Sequence, residues 1–349
     1  MKRVLLFVFA LLVLTTHTRA SDAYGELLEA LPEGLSEAAE RSGVLQGGTE
    51  WLSAQLGSLG EALRSGIRSA ALLTLCALVG GAADGLAGNA AEKNIQLCVI
   101  LCSAAAAAGD LRSLIGLGAQ TVDGISTLAR LLLPAIAGAI AAGGMASTAS
   151  VWQVTTLFVC DAFCSAAARL LLPLTYCCIA AATAGAALGE SGLERISHGT
   201  AKLVSVALKL GLAAFCGYLT VAGVLTGSTD RAAIKAAKIA ASGAVPVVGG
   251  ILSDAAETVL AAAGVLRGTA GALGVFAVLA VCLAPLLRIG AHYLLYKAAA
   301  VAASLVGTKA LGDYLDRLGG AFALVFAMTA SCAVVLLAAL LVAAAITMG

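Results

Sequence analysis

From Ala321 to Ile346 the chain reads AFALVFAMTASCAVVLLAALLVAAAI, without a charged residue or a proline. About 20 apolar residues are enough for one helix to cross the hydrocarbon core of a bilayer. Water-facing helices need a polar face, and this stretch has none. It is one of several such runs. The others are Ile67–Gly85, Ile95–Ala108, Thr127–Ala146, Val151–Leu170, Leu171–Leu188, Leu203–Leu225 and Ala270–Leu287. Residues 238–266 form a ninth apolar stretch with interruptions of its own. Composition points the same way. The chain is 60% hydrophobic and 12% charged, against about 25% charged in a typical soluble domain. The expected fold is all-α: a polytopic helical membrane protein with about seven to nine membrane segments. A net charge of +1 gives no electrostatic footprint for nucleic acid.

The first 66 residues differ from the rest. Lys2 and Arg3 precede an apolar Val4–Leu14, and Thr18-Arg19-Ala20 is a small-x-small cleavage site. Residues 1–20 therefore read as a secretory signal peptide, with an uncleaved anchor helix as the alternative. Either places the following residues outside the cytoplasm. Residues 21–66 carry Asp22, Glu26, Glu29, Glu33, Glu37, Glu40, Glu50 and Glu61 against Arg41 and Arg64. Leu27, Leu28, Leu31 and Leu35, then Leu52, Leu56, Leu59 and Leu63, recur at helical spacing. Two short amphipathic helices with acidic faces follow from this pattern. They either lie on the membrane and bundle or offer a docking surface. Residues 67–349 make up the multi-pass part.

Sidedness is weakly written in this segmentation. Eight basic residues fall on the inner ends: Lys93, Arg195, Lys202, Lys209, Arg288, Lys297, Lys309 and Arg317. Seven fall on the outer ends, namely Arg112, Arg130, Arg169, Arg231, Lys235, Lys238 and Arg267, with Arg64 and Arg68 in addition. Either one span is miscounted, or the Arg231, Lys235, Lys238 cluster lies against something acidic.

Residues suited to chemistry are sparse. There is no HExxH, G-x-G-D or G-x-S-x-G motif, so an enzyme is not expected, and no cofactor or metal is implied. Ten cysteines all fall in apolar runs, with Cys98/Cys102 and Cys160/Cys164 at i, i+4. Packing as small hydrophobes explains them better than metal binding. His198 and His292 are single residues near span ends. Gly81-x3-Gly85, Gly185-x3-Gly189 and Gly264-x3-Gly268 fit close helix approach. Asp161 is the deepest charge, with Arg169 as its nearest base in sequence. Charges at membrane depth default to functional candidates.

The segment SGAVPVVGGILSDAAETVLAAAGVL, Ser242–Leu266, combines a proline, two glycines and two acids. Lys235 and Lys238 share a helix face before it. Pro246 interrupts the helix, and Gly249-Gly250 permits reorientation. Asp254 and Glu257 read as an N-cap and its capping-box acid. Each half is too short to span, so the pattern is a broken, re-entrant helix pair facing protein or water. A surface amphipathic hairpin is the other reading. Pro246, Gly249, Gly250, Asp254, Glu257, Lys235 and Lys238 are the candidate site residues.

These same residues carry a family resemblance. PVVGGILSDAAETVL at Pro246–Leu260, APLLRIG at Ala284–Gly290 and YKAAA at Tyr296–Ala300 resemble the stage III sporulation protein AE family in order and spacing. LLLPAIAGAIAAGG at Leu131–Gly144 looks like that family's proline-containing span. The family's further proline after YKAAA is missing from Ser304–Gly307. The resemblance implies a non-enzymatic, multi-pass subunit of the channel complex between mother cell and forespore. It would sit in the mother-cell membrane around the forespore. Its implied partners are the other stage III A operon proteins with their ATPase, stage II sporulation protein Q indirectly, copies of itself, and membrane lipid. A secondary transporter built on a discontinuous helix at residues 238–266 is the alternative.

Overall fold

The computed structural model describes residues 44–87, 92–142, 146–225, 269–306 and 308–348. The signal-peptide call at 1–20, the first acidic stretch and the seven candidate residues between Lys235 and Glu257 lie outside the described residues. Every described element is a helix. They are α1 (Val44–Ala87), α2 (Glu92–Ala142), α3 (Ala146–Ala166), α4 (Leu172–Leu188), α5 (Ser191–Leu225), α6 (Thr269–Val306) and α7 (Lys309–Met348). A π turn, Ala167–Leu171, joins α3 to α4 without a break in the rod.

Among the described residues, six helical rods are long and apolar enough to cross a membrane. The sequence suggested about seven to nine segments, and two fusions account for most of the difference. Ile95–Ala108 and Thr127–Ala146 were read as separate spans, with Asp110, Arg112 and Asp123 between them. Both, the second as far as Ala142, belong to one 51-residue helix, α2. At 1.5 Å per residue it is about 76 Å long, more than twice a bilayer's hydrocarbon core. The charges do not stop the helix because charged side chains keep its backbone ladder intact and can find lateral partners. Asp110 Oδ2 accepts a hydrogen bond from Tyr296 Oη of α6 at 2.9 Å.

The second fusion joins Val151–Leu170 to Leu171–Leu188, read as two runs that meet beside Arg169 with Pro173 just beyond. Val151–Leu188 is instead one rod. Pro173 has no N–H to give and crowds the preceding turn. The wider π turn sits immediately before it, and Pro173 then takes an early position of α4, where no N–H is required. Pro134 and Pro285 are likewise carried inside α2 and α6. The helix α1 also runs unbroken past residue 66, so the second leucine-patterned stretch and the first apolar run share one helix.

Rods consecutive in the chain are antiparallel. The turns after α1, α4 and α6 gather at one end, called here the hairpin end. α7 is the central element and packs on α2, α3, α4, α5 and α6. In its most apolar window 83% of residues are buried, against 17–39% in the other rods. Phe322, Val325, Cys332 and Val335 are wholly enclosed. Between apolar helices in lipid the gain comes from contact density, so the centre favours shapes that interlock. Tyr296 and Phe322 meet edge-on, with centroids 4.8 Å apart.

Glycines mark the close approaches. A Cβ on Gly118 of α2 would lie 2.5 Å from Val325 Cγ1, and one on Gly211 of α5 would lie 2.8 Å from Phe163. The three small-xxx-small matches behave differently. Gly185 is a true contact, with Glu194 N 3.1 Å from where its Cβ would be. Gly189 is a turn residue with φ +67°, the left-handed cap that ends α4. Gly85 has open space around it, and Gly264–Gly268 lies outside the described residues. At Ser304–Gly307, where the family's proline is missing, α6 continues to Val306, and Gly312 of α7 packs on Ser304.

Candidate functional site

Two polar assemblies stand out in this apolar bundle. The first is a belt near the hairpin end. Lys297 of α6 pairs with Asp316 of α7. Arg317 Nη1 lies 2.9 Å from Glu194 Oε1 of α5. Thr183 and Tyr314 hydroxyls are 3.2 Å apart, and Tyr296 reaches Asp110 as above. These contacts bind α2, α4, α5, α6 and α7 at one level, within about 15 Å of the α6–α7 turn at 1.5 Å per residue. The Arg317–Glu194 pair is close but poorly aimed, for that buried Nη1 donates no hydrogen bond among the described residues.

The belt opens into a cleft of about 290 Å³ between α5 and α6, floored by α7. Lys297, Asp316, Arg317 and His198 line its polar side, and Leu208, Leu212, Ala323 and Ala327 its apolar side. His198 thus has a place at the cleft. His292 is buried against α1, with its Nδ1 2.9 Å from the Arg288 carbonyl. On the Asp110–Tyr296 contact, α2 runs about 12 Å further than α6 beyond the belt. Towards the α1–α2 tip, apolar side chains are uncovered: Val79 is 62% exposed and Leu86 89%. Apolar surface therefore lies on both sides of the belt.

The second assembly sits in the other half of the bundle, inside the apolar zone. Asp161 of α3 is ion-paired with Arg130 of α2. Ser126 Oγ donates a second hydrogen bond to the same Asp161 Oδ1 at 3.1 Å. This corrects the expectation that Arg169 would be the nearest basic partner. Arg169 is an electrostatic neighbour, but the bond goes to Arg130, 31 residues away along the chain. A lone base in one apolar run and a lone acid in the next were the available signal. The pair is not enclosed: Arg130's side chain is 62% exposed and that of Asp161 38%.

The cysteines divide by position. Cys160, Cys164, Cys178, Cys216, Cys282 and Cys332 are buried, and Cys98, Cys102 and Cys177 are exposed. All ten are free. The Cys178 thiol lies 3.3 Å from the Ser197 carbonyl, a lateral contact between α4 and α5. Among the described residues no three His, Cys, Asp or Glu side chains gather where a metal ion could sit.

These features define a class: a multi-helix protein with rods long enough to cross a membrane, a charged belt, and an ion pair set within apolar surface. Comparison with known proteins is specific. The family model for stage III sporulation protein AE matches residues 60–347, and the chain belongs to that family. A relative, the stage III sporulation protein AE of Bacillus subtilis (strain 168), is 22% identical over 211 residues, covering 60% of this chain and 53% of that protein. The chain thus matches about half the length of this curated relative. No solved structure matches.

Proposed function

We propose that this chain is a non-enzymatic, multi-pass subunit of a membrane channel complex that serves forespore development. Family membership supplies the sporulation role. The observation that carries the assembly reading is the Arg130–Asp161 pair, which lies in apolar surface yet faces outward. Charges at membrane depth almost always face protein or water, and at mid-membrane each costs about 2.5–3.5 kcal/mol. A subunit that worked alone would have no reason to hold both on its outer face.

Sidedness supports this placement. With α2 continuous, Arg112 moves to the same end as Arg195, Lys202, Lys309 and Arg317. Arg68 lies near that level too, since Gly66 packs on Leu295. An excess of lysine and arginine marks the cytoplasmic side. The hairpin end then faces the mother-cell cytoplasm, where the complex's ATPase would act. The far end faces the space in front of the forespore, and stage II sporulation protein Q lies beyond it. The other stage III A operon proteins are the direct neighbours in this reading.

Affinity purification of the tagged chain from sporulating cells, after cross-linking, should recover other stage III A products. A chain that is strictly monomeric in mild detergent and brings no such partner would overturn the proposal.

A further inference from the structure

The outer face of α3 has a pattern of its own. Val151, Val154, Phe158, Asp161 and Ser165 follow one another at alternating spacings of three and four. The first three are 68%, 68% and 71% exposed. Outward apolar residues at this spacing also describe a helix that simply faces lipid. Asp161 excludes that simple case, because lipid offers a carboxylate and its arginine nothing to bind. A seam of apolar residues with one polar position is what a packed helix pair uses to fix its register.

The charges around the seam indicate what packs there. Asp161 and Arg130 lie at one level. About 11 Å nearer the hairpin end, by helix rise, lie Asp123 of α2 and Arg169 of the π turn. Both are exposed, and neither makes an ion pair among the described residues. Each level thus holds one acid and one base. Two copies of a membrane protein share an orientation, so a two-fold axis along the membrane normal brings equal levels together. Across such an axis every acid meets a base: Asp161 meets the second copy's Arg130, and Asp123 the second copy's Arg169. The patch is complementary to itself.

We infer that the α2–α3 face is a two-fold interface between copies of this chain, with the axis between α2 and α3, so that the α3 seam packs on the second copy's α2. The inference rests on the assembly reading above and names the surface through which the subunit meets itself. It makes Arg169 and Asp123 contacts between copies. Neither contributes an ion pair to the single chain, so both can be altered without breaking one.

The test uses the full chain in sporulating cells. A photoreactive residue at position 154 or 158 should cross-link the chain to itself and give a band of twice its mass. D123R and R169D, each alone, should lower that yield roughly tenfold, since each puts like charges face to face in apolar surroundings. The double variant should restore it to within roughly twofold, because the reversed charges pair again. Cross-linking only to lipid or to a different protein, or a double variant no better than the singles, would overturn the interface. Co-purification of other stage III A products, measured in the same cells, reports separately on the proposed function. If it persists while self-cross-linking is absent, the interface falls and the function stands.

Discussion

Replacing Arg130 with leucine will destabilise the protein, because Asp161 loses its ion-pair partner within apolar surface. Asp161 then keeps the Ser126 hydroxyl as its hydrogen-bond donor, with Arg169 only an electrostatic neighbour. The sign follows from asymmetry: losing one partner of an ion pair costs far more than losing both. The double variant R130L/D161L should therefore regain most of the lost stability. Thermal unfolding of purified protein in detergent reads both effects. The double variant should still fail to support sporulation if the pair also serves assembly. A single R130L variant as stable as the parent would show that the pair lies in water.

The second large effect concerns packing at the centre. Gly118→Ala should destabilise by about 1–3 kcal/mol, because its Cβ would stand 2.5 Å from Val325 Cγ1, and valine's branched side chain has little room to turn away. Gly116 is two residues away on the same helix and has nothing within 4 Å of its would-be Cβ. Gly116→Ala should be neutral or slightly stabilising, since alanine is the better helix former by about 1 kcal/mol. Opposite signs for two alanines on one helix are the expected result in the same unfolding measurement. Equal effects would mean that α2 and α7 do not cross at Gly118.

Much of the helical architecture was written in hydropathy, and its segmentation was not. Ala321–Ile346 announced α7 because a run without charges admits few alternatives. Asp110 and Arg112 looked like a loop because sequence shows a charge without its partner. Tyr296 is 186 residues from Asp110, and no local pattern links them. Pro173 looked like a break because the π turn that accommodates it leaves no mark in composition. Asp161 stood out as a charge in an apolar run, but its partner came from another helix. The glycine motifs were similarly partial. Spacing alone could not separate Gly185, which touches Glu194, from Gly189, which turns the chain.

The family resemblance came from residues that fold reasoning could not use. Its most telling stretch, Pro246–Leu260, lies outside the described residues, whereas APLLRIG and YKAAA lie on α6. Tyr296 and Lys297 of that second motif are the two α6 residues that bond to α2 and α7 in the belt. In this chain the belt therefore gives YKAAA a physical meaning: its tyrosine and lysine tie three helices together.

Thiol accessibility at three positions tests the continuous α2 and the continuous α3–α4 rod most directly. Single cysteines at Ser113, Ala146 and Glu190 would be placed in a chain whose exposed Cys98, Cys102 and Cys177 are replaced. A membrane-impermeant reagent would then be applied to intact cells and to lysed ones. Six rods put Ser113 and Glu190 on one side and Ala146 on the other. If Ala146 and Glu190 instead share a side and Ser113 stands opposite, both rods are broken, and the belt, the sidedness and the shared level of Asp161 and Arg130 fail with them.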